Sequence, residues 1–143
     1  AQLEEYIVEN KRYKQEPKIR FHLKDYKSNF GEKKDSFDLL LSLSAGFISV
    51  ACDKYLKMGG LLLADYHHND AARAFISKKY QFIGVYDHLQ PNLLQTKALK
   101  PYFQTKKGKK LTLEMVEEVL TTSPSKMSYK FKKTAPYYLF RKK

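Results

Sequence analysis

Between Ser36 and Asp70 the chain reads SFDLLLSLSAGFISVACDKYLKMGGLLLADYHHND, and this stretch limits the possible folds more than any other. It opens on a continuous apolar run, Phe37 to Leu43, interrupted only by Asp38 and Ser42. A run of that kind, too short for an ordinary helix, predicts a strand buried on both faces. Ile48, Ala51, Tyr55 and Met58 then fall at three- and four-residue spacing, which predicts a helix. Gly59-Gly60 would stop that helix, because glycine takes the left-handed cap conformation without strain. A second apolar run, Leu61 to Ala64, ends in the polar cluster Asp65 to Asp70. Strand, helix, glycine pair and strand make one βαβ unit with a right-handed crossover. Ligands of an open parallel sheet sit beyond the carboxyl ends of its strands, here Ser42 to Gly46 and Asp65 to Asp70.

The flanking segments extend this pattern. Gln2 to Lys14 predicts a helix that Pro17 terminates, and Ile19 to Lys24 alternates with the period of a half-buried strand ending at Asp25 and Tyr26. A short helix is expected over 71–77, capped by Asn69 or Asp70, and a strand over 81–86 ending at Asp87-His88. Residues 90–110 carry Pro91, Pro101 and Gly108 among polar residues and read as loop. Thr112 can cap a helix through Leu120, with Leu111 and Val116 as its hydrophobic staple. Met127 to Phe131 reads as a weak strand and Ala135 to Arg141 as the last one.

A chain of 143 residues suits one domain, 1–143, with a real core. The net charge is +12, and residues 97–143 hold 13 Lys and Arg against only three Asp and Glu. That asymmetry suggests an anionic partner, DNA or RNA before a membrane surface, unless the lysines are merely a solvated face. No apolar stretch approaches the ~20 residues that span a bilayer. A single cysteine, Cys52, rules out an internal disulfide framework and fits a reducing cytoplasm.

The order of these pieces resembles the second half of a class I S-adenosylmethionine-dependent methyltransferase. IRFHLKDY is similar to the family's third strand with its acidic cofactor motif, and FDLLLSLSAGF to the fourth strand and its loop. MGGLLLADYHHND resembles the fifth strand, and YQFIGVYD and YYLFRKK the last two, which form an antiparallel hairpin. The resemblance implies an α/β fold, a three-layer Rossmann-like sheet that is mostly parallel with an antiparallel last strand. It also implies incompleteness, since no GxGxG loop occurs and nothing corresponds to the family's first two strands. The chain is therefore expected to be a fragment, with unpaired strand edges that could drive self-association.

By the same resemblance S-adenosylmethionine is the cofactor. Asp25 would accept a hydrogen bond from the adenine amino group, with Tyr26 beside the base and Ser42 and Ser44 at the neighbouring strand end. Asp25 could equally cap a turn. Phe47 stands where amino-methylating members carry a base-stacking aromatic, though the prolines and leading Asp or Asn of that motif are missing, and Phe47 could equally be core. Histidine side chains in general exchange protons near neutrality, so His67 or His68 could act as general base, with Asn69 contacting substrate. A solvated loop with a helix cap is the competing reading. The two histidines lack the Cys or carboxylate spacing that would complete a metal site, and His22 and His88 read as structural.

Residues 89–134 would form a basic substrate-recognition insertion. Lys106, Lys107, Lys109 and Lys110 would track a phosphate backbone. Tyr102, Phe103, Tyr129 and Phe131 would stack on unpaired bases. Three readings follow: a methyltransferase fragment acting on nucleic acid, a non-catalytic nucleic-acid-binding module, or a subunit of a larger complex.

Overall fold

A computed structural model describes every residue except Ala1, His88 and Pro91, so the reading of His88 lies outside the described residues. Its elements are α1 Gln2–Asn10, β1 Phe37–Ser42, α2 Ile48–Ala51, β2 Leu56–Asp65, α3 Asp70–Ile76, β3 Tyr80–Tyr86, β4 Leu94–Gln95, α4 Leu113–Glu117 and β5 Tyr137–Lys142. Short 3-10 turns at Asp53–Tyr55, Lys100–Phe103, Glu118–Leu120 and Pro124–Lys126 fill the connections. The strands form one sheet in the order β1-β2-β5-β3-β4.

This corrects the expected three-layer, mostly parallel Rossmann-like sheet. Among the described residues only β1 and β2 pair in parallel; β5 runs antiparallel to both β2 and β3, and β4 antiparallel to β3. The reason lies in the C-terminal strand, which inserts between β2 and β3 and separates two strands that would otherwise share a parallel ladder. Helices are few, and the buried cluster gathers Leu62, Ala64, Val85, Tyr138 and Phe140 from the sheet with Ala71, Ala72 and Ala74 of α3. The face that carries Leu39 and Leu41, paired with Leu61 and Leu63, stays largely open.

Three local expectations also change. The apolar run at β1 is not buried on both faces: β1 is an edge strand, and Phe37, Leu39, Leu41 and Leu43 are exposed. Ile19 to Lys24 is not a strand. Phe21 is 79% and Leu23 89% exposed, and no neighbouring strand takes up the backbone ladder that period-2 alternation requires. His22 and Arg20 instead anchor the segment through Glu32, at 2.9 and 2.8 Å.

The helix expected through Met58 stops at Ala51, and the glycine pair lies inside β2. Phe37 is opposite Leu56 but Leu39 is already opposite Leu61, so Lys57 to Gly60 bulge out of the ladder. Gly59, at φ +75, supplies the left-handed turn in that bulge. Lys57 at its base pairs with Asp38 at 2.7 Å. Among the described residues no helix is long and apolar enough to cross a membrane.

The C-terminal strand is locked by a buried cation. Lys142 Nζ donates to the carbonyls of Asp53 (2.8 Å) and Leu56 (2.7 Å) and lies 3.4 Å from Asp35. Removing one member of such a buried charged set typically costs ~3–5 kcal/mol. Lys142→Ala is therefore expected to lower the unfolding free energy by about 3 kcal/mol in urea titrations. Lys143→Ala, at an exposed side chain, should stay within about 0.5 kcal/mol of the parent. Equal, small losses in the two variants would refute the lock.

Candidate functional site

The carboxyl ends of β1 and β2 are built around two carboxylates. Asp70, at the start of α3, is 1% exposed and receives the Ser42 hydroxyl at 2.6 Å, the Ser49 amide at 2.9 Å and the Ser49 hydroxyl. Asp65, the last residue of β2, receives the Ser44 amide at 2.6 Å, the Ser44 hydroxyl at 2.8 Å and the His67 amide at 3.2 Å. Ser44 adopts a positive φ of 54°, and Gly46 at φ +76 lies so close to Tyr26 that a Cβ there would meet its hydroxyl at 2.8 Å. The two loops are thereby tied into one crest.

From this crest the side chains go to different places. His67 and His68 are exposed, and His67 lines two adjoining clefts that His68 does not reach. Asn69, in a left-handed conformation, is buried: its amide donates to the Val116 carbonyl (3.0 Å) and the Tyr129 hydroxyl (2.6 Å), fastening the insertion to the sheet. Burial pushes the Tyr129 hydroxyl up to about 12, so it stays neutral. Phe47 is half-buried and packs against the core.

The residues expected to hold S-adenosylmethionine do not form a cradle for it. The Ser42 and Ser44 hydroxyls are committed to Asp70 and Asp65. Asp25 is exposed in a turn, where its carboxylate accepts the Lys27 amide at 2.7 Å. Tyr26 packs on the small cluster of Ile48, Cys52 and Tyr55. Cys52 is itself buried, and desolvation raises its thiol above the ordinary range, away from nucleophilic use. Among the described residues no group of three potential metal ligands comes together.

The insertion forms a two-stranded ribbon. Thr105 bridges Phe131 in antiparallel fashion, the Lys106 amide donates to the Lys130 carbonyl and the Lys132 amide to that of Gln104, each at 2.8 Å. Alternation then sorts the side chains. Thr105, Tyr129 and Phe131 are buried, while Lys106, Lys130 and Lys132 face out. Tyr102 (1% exposed) and Phe103 are core as well, so none of the four aromatics expected to stack on bases is available for it. Tyr102 donates instead to Asp87 at 3.1 Å, with Lys133 above its ring.

Lys106 sits directly across the ribbon from Lys130. Like charges so placed repel, and no ion pair among the described residues neutralises either one. A cleft of about 390 Å³ runs between this ribbon and the crest, with His67 and Tyr66 on one wall and Lys106, Lys130 and Lys132 on the other. It adjoins a second of about 370 Å³ lined by Ser44, Asp65, Tyr66, His67 and Tyr137. Lys107 and Lys109 border a smaller depression on the ribbon, and Lys109 and Lys110 line a groove against Phe75 and Phe103.

Tyr137 lies outside the polar strand ends marked from the sequence, and Asp65 and Tyr66 lie within them without a role of their own. Tyr66 follows the β2 terminus directly, which is signal enough for Tyr66. The pattern Tyr129-Lys130-Phe131-Lys132 is a period-2 signature that places aromatics in and lysines out. No family model matches the chain, and neither a curated protein nor a solved structure matches it.

Burial is the largest influence on Asp70 and raises its carboxyl above the ordinary value, against the lowering effect of the two serines. A raised folded-state value means stability that is present below the unfolded value and is lost as pH rises through the folded one. The stability of the parent chain relative to Asp70→Asn should therefore decline as pH increases from about 4. Urea unfolding across a pH series would measure this, and a difference that stays flat from pH 4 to 7 would contradict it.

Proposed function

We propose that this chain is the acceptor-side part of an S-adenosylmethionine-dependent methyltransferase that acts on nucleic acid in the cytoplasm. The observation that carries the reading is the cleft at the carboxyl ends of the β1–β2 pair, where His67 stands opposite unpaired lysines. An anionic polymer drawn to the lysines would bring a hydroxyl or amine within reach of an exposed imidazole able to take its proton. The antiparallel pairing of β3 with β5 adds support, as the resemblance implies it for the last two strands.

Methyl donation would come from S-adenosylmethionine, and on this reading polypeptide other than these 143 residues holds it. The free edge of β1, with Leu39, Leu41 and Leu43 exposed, is where the chain would self-associate. The commitment of Ser42 and Ser44 to buried carboxylates favours a second reading, a nucleic-acid-binding module without catalysis.

Two measurements separate these readings. Calorimetric titration of the chain alone with S-adenosylmethionine should show weak or no binding; micromolar affinity would mean that the cofactor site has been misplaced. In the protein as purified from its source cells, tritiated methyl transfer to RNA or DNA should be detectable. His67→Ala should lower its rate about 100-fold, the low end for loss of a general base. Absence of transfer, or a rate indifferent to His67→Ala, would leave the binding module as the function.

A further inference from the structure

The aromatics of the insertion are buried, yet two tyrosines are half-exposed at the mouth of the cleft. Tyr66 is 43% and Tyr137 42% exposed. Asp65 pairs with Tyr137 across β2 and β5, so Tyr66 lies one residue beyond the partner of Tyr137, at the same end of the sheet. Both line the cleft that holds His67, and Tyr66 also lines the one walled by Lys106, Lys130 and Lys132. Flat apolar ring surface and unneutralised cations thus border one hollow made of two adjoining clefts that share Tyr66 and His67, whereas Tyr102, Phe103, Tyr129 and Phe131 are committed to the core.

We propose that this hollow is a site for an unpaired nucleotide within a single strand. Its base stacks on Tyr66, with Tyr137 alongside, and its flanking phosphates lie on Lys106, Lys130 and Lys132. The assignment rests on the nucleic-acid part of the reading above and not on methyl transfer. Stacking needs an accessible ring face and tolerates any base. Phosphates bound one at Lys106 and one at Lys130 would relieve the repulsion that their cross-ribbon pairing creates. Duplex is disfavoured because paired bases keep their faces covered.

Fluorescence anisotropy with a labelled 12-mer of thymidylate, titrated at several salt concentrations, tests the site. Tyr66→Ala should weaken binding about 10-fold at every salt concentration and leave the salt slope unchanged. The double variant Lys106→Ser/Lys130→Ser should flatten the log–log slope by about 1.4, or 0.7 for each phosphate no longer neutralised. Lys33→Ser/Lys34→Ser, at the opposite end of β1, should change the slope little. All these side chains are exposed, and unaltered thermal melting would verify that the variants fold.

A 12-base-pair duplex, and thymidine monophosphate alone, should both bind more weakly than the single strand. Equal affinity for the duplex or for the free nucleotide would overturn the proposal. So would indifference to Tyr66→Ala, or no salt-dependent binding at all. Strong binding of the single strand without methyl transfer would leave this site standing and remove only the enzymatic reading.

Discussion

The carboxyl end of the β1–β2 pair hangs on the carboxylates of Asp65 and Asp70. Each draws hydroxyl and amide donors from the stretch between Ser42 and Ser49 onto the end of β2 or the start of α3. Hydrogen bonds to a charged group are worth roughly 1.5–3 kcal/mol each, more than neutral ones. The loops that carry Ser44 and His67 are consequently held by chemistry, not by hydrophobic packing. Asn69 extends the same arrangement outward, since its amide ties the insertion to the crest through Val116 and Tyr129. The cleft owes its two walls to these polar ties.

Periodicity made the strands at β1, β3 and β5 legible, and Thr112 does cap α4, its hydroxyl accepting the Met115 amide. What periodicity could not convey was partnership. Phe37 to Leu43 has the composition of a strand buried on both faces, yet in the folded chain it is an edge strand with Leu39 and Leu41 exposed. Ile19 to Leu23 alternates properly and still forms no strand, because a ladder is a property of two segments. The Gly59-Gly60 pair fits a helix stop and a strand bulge equally well, and the register of β1 against β2 decides between them.

The site was legible in its location and less so in its membership. Reading polar strand ends as the binding region pointed to His67 and the loop around Ser44. It also suggested that polar side chains there would face a ligand, and most do not: Ser42, Ser44 and Asn69 are spent on internal bonds. Burial of a hydrogen-bonding group demands a partner, so small polar residues next to buried carboxylates are recruited first by the fold. Lysines escape this pressure because their charge keeps them at the surface.

The strand that completes the sheet follows both of its neighbours by tens of residues in the sequence. β5 covers the inner edges of both β2 and β3, and its Lys142 reaches back to residues 53 and 56. During synthesis those two strands leave the ribosome tens of residues before their shared neighbour does. They must wait with open, apolar edges that could pair wrongly in the interval. Closure of this sheet thus waits for β5 to emerge. A chain lacking residues 137–142 would hold most of its core residues and could not close the sheet around them.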